Sequence, residues 1–351
     1  MPVLGTKLLK GMGFGNQLFA VIAARCLAEK NRMGYSVLSA ELLEHNLDLG
    51  GKRLFFLDYG EALPEEAFPV HLSELDERIY IPDSEHDLTR GCYVAGTDES
   101  LFSLSERYPE RNVLLSGNLQ AWDYLAGYES RIRQWLSVNP DLDHREYARE
   151  NVCILNIRGG EYAGNPELFV KRRYWLDAMR IMRAKRPDMK FLVVTDDPEA
   201  AAKVLPEVRA EHGDLAHDYT IVKNARFLIL SNSSFACFPA FTGDAELVIA
   251  PKYWARHNVS DGFWSSEQNL YPSFTYLDRE GKLFSAEDCR KELETYKVRT
   301  NFAEKIGRKP TKEELAEGRK QVEALHRKDL RQRAALSLKR RLHLIRQRDS
   351  L

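Results

Sequence analysis

No stretch of this sequence approaches the ~20 consecutive apolar residues that a membrane-spanning helix needs. Lys7 and Lys10 interrupt the apolar N-terminus, so no secretory signal is expected. None of the five cysteines (Cys26, Cys92, Cys153, Cys237, Cys289) stands in a C-x-x-C pair. Buried free thiols in a reducing cytoplasm are the expectation. An overall excess of one charge is missing too, with a net charge of −1, and a nucleic-acid partner is not expected. Internal repeats and low-complexity segments are absent. What remains is a chain of 351 residues, 44% of them hydrophobic. That is enough to bury a full interior, and the length suggests two domains.

The most informative segment is Gly11-Met12-Gly13-Phe14-Gly15-Asn16-Gln17-Leu18-Phe19. It lies between the apolar residues Val3, Leu4, Leu8 and Leu9 and an amphipathic stretch from Leu18 to Glu29. The order reads as strand, glycine loop, helix. Such a junction turns backbone N–H groups and a helix N-terminus toward an anion, usually a phosphate. The loop is not the dinucleotide fingerprint G-x-G-x-x-G, because Asn16 holds the place of the third glycine. A plain tight turn is the competing reading.

Strand and helix patterns then alternate. Tyr35 to Leu38 and Asn112 to Leu119 read as strands, and Trp122 to Leu136 as a helix. Residues 40–110 suit irregular loops and short helices. Asn139-Pro140-Asp141-Leu142-Asp143 reads as a capped turn rather than a metal site. The second half predicts strands at Asn151–Ile157, Phe191–Thr195, Phe227–Leu230 and Leu247–Ala250. Helices are expected at Tyr174–Lys185, Glu199–Leu205, Tyr219–Arg226 and from Phe235 to Phe241. This rhythm implies a parallel sheet, with ligands beyond the carboxyl ends of its strands. From about Asn301 the chain is highly charged. Leu330, Ala334, Leu338, Leu342 and Ile345 recur at helical spacing, and residues 327–351 hold nine Lys/Arg against two Asp/Glu. That pattern predicts an amphipathic basic helix.

Three loops of the second half carry chemistry. Asn156-Ile157-Arg158-Gly159-Gly160-Glu161-Tyr162 follows a buried strand and puts a guanidinium, able to bond phosphate oxygens in pairs, at its carboxyl end. A structural salt bridge is the alternative. Thr195-Asp196-Asp197 ends the next strand. Asp197 reads as a helix cap, while Asp196 stays open as a reader of a guanine edge. Ser231-Asn232-Ser233-Ser234-Phe235 offers hydroxyls and backbone N–H groups to an anion, or a simple cap by Ser233 or Ser234.

The order of these segments resembles the alpha-1,2-fucosyltransferases of glycosyltransferase family 11, within the wider group of GDP-fucose-dependent transferases. The Gly-Asn-Gln-Leu-Phe opening is similar to the family's first motif. Ser116-Gly117-Asn118-Leu119-Gln120, with Trp122 and Tyr124, resembles its mid-chain segment. The Arg158 loop resembles its His-x-Arg-Arg-Gly-Asp-Tyr motif, and Asn232-Ser233-Ser234-Phe235 its Asn-Ser-Ser/Thr-Phe motif. Val248-Ile249-Ala250-Pro251 with Trp254 resembles its late segment. The resemblance covers about residues 5–275. This chain departs from the pattern with Asn156 for His, Gly159 for the second Arg, Glu161 for Asp, and Cys237-Phe238 for a Trp pair.

The resemblance implies an α/β, GT-B-like fold: two Rossmann-like domains facing a cleft, with a basic C-terminal helix added. Residues 1–150 would form the acceptor-side domain, 151–300 the nucleotide-sugar domain and 301–351 a charged tail. It implies an inverting transfer of fucose from GDP-fucose to a glycan hydroxyl. Arg158, Asn16 and Glu161 are the candidate catalytic residues, with Glu167 behind Glu161 as a base. Gly13, Gly15, Asn156, Asp196, Asn232, Ser233, Ser234 and Phe235 are the candidate donor-binding residues. No metal and no cofactor beyond the GDP-sugar substrate are expected. The expected partners are the nucleotide-sugar donor, the glycan acceptor and an anionic membrane surface met by residues 327–351 at the cytoplasmic face. Two other classes compete: a non-catalytic sugar- or nucleotide-binding protein degenerate at Gly159, and a dinucleotide-dependent oxidoreductase. The second needs an acidic ribose reader, for which Glu41 falls past the end of its strand.

Overall fold

The computed structural model describes residues 1–73, 97–166, 168–258 and 270–299, and seven single positions between 313 and 338. Two parallel sheets form its frame. The first is built from β1 (Val3–Lys7), β2 (Gly34–Leu38), β5 (Val70–Ser73) and β6 (Val113–Ser116), in the order β2-β1-β6-β5. A two-residue hairpin, β3 (Asp48–Leu49) with β4 (Lys52–Arg53), stands apart from it. The second sheet holds β7 (Val152–Ile157), β8 (Lys190–Thr195), β9 (Ala210–Glu211), β10 (Phe227–Leu230), β11 (Leu247–Pro251), β12 (Thr275–Leu277) and β13 (Leu283–Ser285). Its order is β13-β12-β11-β10-β7-β8-β9, parallel except at the β12–β13 edge. Val-Cys-Ile-Leu-Asn-Ile and Phe-Leu-Ile-Leu are buried along their whole length, as strands covered on both faces must be.

Both sheets reverse direction at a definable point. From β7 the chain steps outward to β8 and β9, then returns to the opposite flank with β10. In the first sheet it runs from β1 to β2 and returns with β6. Loops leaving the carboxyl ends on the two sides of such a switch diverge and leave a crevice between them.

The Phe14–Lys30 helix between β1 and β2 departs from its expected amphipathic form. Leu18, Phe19, Ile22, Ala24 and Leu27 are all buried, on every side of the helix. A helix apolar all round belongs inside a protein, and here the second half covers the face that the first sheet leaves open. Phe19 packs on Phe238 with ring centroids 4.6 Å apart. One buried cluster therefore runs through both halves, from Leu4 and Ile22 to Tyr219, Phe238 and Tyr271.

Other boundaries moved as well. The expected Trp122–Leu136 helix is two pieces, Trp122–Leu125 and Glu129–Trp135, broken at Gly127 with φ +87°. The helix expected at Tyr219 begins at Leu215, where the Asp214 carboxylate accepts the His217 N–H at 2.9 Å. Asn139 and Asp197 do cap their turns. Unforeseen are β5, β9, β12, β13 and the Ala286–Arg299 helix, which reaches back to the first half through Arg290 to Asp123 at 3.2 Å.

Cys26, Cys153, Cys237 and Cys289 are free and buried, and Cys92 lies outside the described residues. In the tail, Arg327, Leu330, Arg331, Ala334 and Leu338 are helical positions. Leu330 and Leu338 are 64% and 61% exposed, and Ala334 is exposed too, so these members of the apolar stripe do not pack on the body. Leu342 and Ile345 lie outside the described residues. Among the described residues, no helix is long and apolar enough to cross a membrane.

Candidate active site

The carboxyl ends of the two sheets meet around one cavity of about 630 Å³. Gly13, Gly15 and Asn16 line it from the first half. Asn156, Arg158, Glu161, Asp196, Asn232, Ser233, Ser234 and Phe235 line it from the second. The structure thus brings together every candidate named from the sequence, apart from Glu167, which lies outside the described residues.

On the first side, Gly13 precedes a helix with no side-chain cap and no acidic residue in its first turn. Its leading N–H groups lack partners within the helix, and its positive end faces the cavity. Gly15 has a different task. A Cβ there would stand 2.4 Å from the Phe235 nitrogen and the Ser234 carbonyl carbon, so this glycine lets the helix backbone touch the Ser-Ser loop. Asn16 Oδ1 accepts from Gln120 Nε2 at 2.7 Å, which leaves the Asn16 NH₂ as a donor.

On the second side, Arg158 ends β7, and its backbone N–H donates to Ser231 Oγ at 3.2 Å. Its guanidinium lies between two carboxylates. One nitrogen pairs with Asp196 Oδ2 at 2.7 Å, and the other donates to both Glu161 oxygens at 2.8 and 2.7 Å. The Arg158 hydrogen bond holds the Glu161 carboxyl below the usual carboxylate range. Asp196 Oδ1 accepts the Gly159 N–H at 2.8 Å, so both its oxygens serve the Arg158 loop.

Gly159, where the resembled family carries a second arginine, has no room for a side chain. A Cβ would lie 2.3 Å from Asp197 Cβ. Asp197 in turn caps the Pro198–Val204 helix, accepting from Ala200 N at 2.9 Å. The departure at this position is therefore matched by its neighbour.

Asn156 and Asn232 flank the β7–β10 switch and are only 5% and 3% exposed. The Asn232 amide donates to Leu168 O at 2.9 Å, and Asn156 makes a long contact of 3.4 Å to Val194 O. Both Oδ1 atoms are buried with no partner among the described residues. An unpaired buried acceptor costs about 1–3 kcal/mol. A ligand bringing O–H or N–H donors, or an ordered water, would relieve it. Ser233 Oγ accepts the Phe235 N–H at 3.3 Å, so it caps its turn as well as lining the cavity.

Sequence reasoning missed one wall. His212, Asp214, Leu215 and Asp218 line the cavity beyond β9. Asp218 is buried, with Oδ2 2.8 Å from His212 Nδ1, and Oδ1 accepting the Gly213 N–H and lying 2.9 Å from His217 Nδ1. The preceding strand has two residues, too few to show a period. The only local signal was Asp214 at a helix start. Asn118, Gln120 and Trp254, quoted as motif residues without roles, line the cavity too. Among the described residues, no cluster of His, Cys, Asp and Glu has an arrangement suited to a metal ion.

These features define an α/β protein with two switch-point loop sets facing one polar cleft. No family model matches the chain. Over 186 residues it is 25% identical to an alpha-1,2-colitosyltransferase from Escherichia coli, an alignment taking in 45% of this chain and 64% of that protein. The chain thus covers less than two thirds of that relative, which is named for colitose rather than fucose. Among solved structures, a family 9 glycosyl transferase from Veillonella parvula is 12% identical, with a TM-score of 0.39 over 85% of this chain and 98% of its own. MnaA of S. aureus, solved with UDP, is 11% identical, with a TM-score of 0.33 over 85% and 88%. Overlaps this loose carry no argument.

Proposed function

We propose that this protein is an inverting glycosyltransferase that moves a sugar, fucose first among the candidates, from a GDP-sugar to a glycan hydroxyl. One observation carries the reading: the two switch points share a cleft that combines a cation, helix-end N–H groups and unpaired amide oxygens. A diphosphate suits Arg158, the Ser233-Ser234 N–H groups and the Asn16 amide. The hydroxyls of a ribose or a hexose suit the acceptor oxygens of Asn156 and Asn232. A plain phosphate would leave those oxygens unpaired. The likeness to a colitosyltransferase supports glycosyl transfer and adds GDP-colitose to the donors worth testing.

In the reaction, the acceptor oxygen attacks the sugar C1 as the bond from C1 to the β-phosphate oxygen breaks. The acceptor proton goes to a base, and negative charge grows on the departing GDP. Arg158 would stabilise that charge in a site shielded from water. To do so it must exchange the Glu161 carboxylate for phosphate. Glu161, released beside the reacting sugar and ionised, is the nearest candidate for the base. Asp196 would keep the guanidinium aimed. On the far side, the His212–Asp218 wall would face the nucleoside.

Transfer is tested by incubating purified protein with GDP-fucose or GDP-colitose and a panel of galactose-ended acceptors. Proton NMR of the product should show an inverted anomeric centre. Nucleotide binding without turnover across the panel would favour the non-catalytic alternative. The tail is proposed to dock on an anionic membrane, supported by its nine basic residues and the outward Leu330 and Leu338. Each basic residue near such a surface is worth about 1 kcal/mol. Intact protein should co-sediment with anionic vesicles at low salt, and a form ending at Ala324 should not. Equal pelleting of the two forms would refute the docking.

A further inference from the structure

The turn after β11 holds two strained residues beside the cavity. Tyr253 and Trp254 have φ of +69° and +46°, in the left-handed region where a bulky side chain is an outlier. Such strain persists only where the surroundings over-determine it. Trp254 lines the cavity. The groups that hold the turn lie beneath it. The Lys252 ammonium is buried, 2.5 Å from Glu292 Oε2, with the Phe284 ring centroid 3.4 Å away. The Tyr253 hydroxyl donates to Glu292 Oε1 at 2.9 Å. Burial and that carboxylate push the Tyr253 hydroxyl well above its ordinary range, so it remains a donor. One carboxylate on the Ala286–Arg299 helix thus grips both residues that precede Trp254. A buried ion pair stabilises a fold no better than an apolar pair of similar volume. Its presence under a strained turn at the cavity wall asks for a positional reason.

We propose that Glu292 is a positioning residue for the donor: by holding Lys252 and Tyr253 it keeps the turn left-handed and fixes Trp254 as a wall of the cavity. The proposal rests on the reading of that cavity as a GDP-sugar site. The same helix is bonded to the first half through Arg290 and Asp123, so the wall is referenced to both sheets.

The test uses the full chain. GDP affinity is measured by calorimetry, and backbone hydrogen exchange is followed over residues 252–257. Lys252→Met with Glu292→Leu removes both charges together, so that no lone charge is left buried. This pair should weaken GDP binding by about tenfold or more and speed exchange in the turn. Arg290→Ala, on the same helix, should leave both near wild type. Adding Tyr253→Gly to the pair should recover most of the affinity, because glycine takes φ +69° without strain. Wild-type affinity and exchange in the paired variant, or a triple variant no better than the pair, would overturn the proposal. If the wild type itself fails to bind GDP, the reading of the cavity falls. The exchange data then still decide whether Glu292 holds the turn.

Discussion

Arg158 sits in a contest between protein and ligand. Its guanidinium is fully paired by Glu161 and Asp196, so a diphosphate must displace at least one carboxylate. Arg158→Ala should lower transfer on the order of hundredfold, as removal of one charge-stabilising donor does elsewhere, with little loss of fold because the side chain is partly exposed. Arg158→Lys should not restore the rate, since a point charge cannot bond two oxygens in parallel. Steady-state kinetics checked against circular dichroism separates these cases, and a folded Arg158→Ala variant with normal turnover would make the pair merely structural. Glu161→Gln removes the competing charge. GDP should then bind severalfold more tightly in a calorimetric titration, and an unchanged or weaker affinity would show that Glu161 does not mask the arginine. At this scale the sequence was legible. The candidate residues converge because each sits in a loop directly after a strong apolar strand, and strand ends of a parallel sheet meet at the switch. What it could not show is partnership. That Asp196 serves Arg158, that Gly159 is closed by Asp197, and that Gly15 is a seam between halves are facts of distance.

At the scale of elements, legibility followed length and burial. Phe227–Leu230 was read to the residue because four buried apolar positions bounded by polar ones admit little else. The strands of two to four residues at the sheet margins carry no period, so β9 was lost, and with it the His212–Asp218 wall. The Phe14–Lys30 helix was found but misjudged, since the covering of its outer face comes from residues 200 positions away. The Pro251–Asn258 segment shows how buried polar groups tie one element to another. His257 Nδ1 lies 2.9 Å from Lys252 O, and the ring packs on Tyr174. Burial lowers the His257 pKa to about 4, helped by Arg279 and Lys171. The sign follows directly. Above pH 6.5 the imidazole is neutral folded or unfolded, and this contribution is fully present. As the pH falls toward 4, only the unfolded chain gains the proton, so stability drops by up to a few kcal/mol. The melting temperature should therefore fall between pH 6.5 and 4, and His257→Asn should flatten that slope. An unaltered slope would place the acid sensitivity elsewhere.

For the whole molecule, the two sheets behave as two domains in topology but share one core. Phe19 on Phe238, Trp122 on Phe241 and Tyr271, and the Gly15 contact join them. Large apolar interfaces suppress independent motion of domains, so calorimetry should record one cooperative unfolding transition. Two resolved transitions would contradict a shared core. The cleft between the sheets is then largely preformed, and ligand binding should add stability to the entire molecule by mass action. That makes a nucleotide panel the most direct test of the central claim. Melting temperatures of wild type and Arg158→Ala are compared with GDP, GDP-fucose, GDP-colitose, GDP-mannose and UDP-sugars at equal concentration. The account predicts a rise of several degrees with GDP and at least one GDP-sugar, much reduced in Arg158→Ala. A shift with a UDP-sugar and none with any guanine nucleotide, or no shift with any nucleotide, would contradict it.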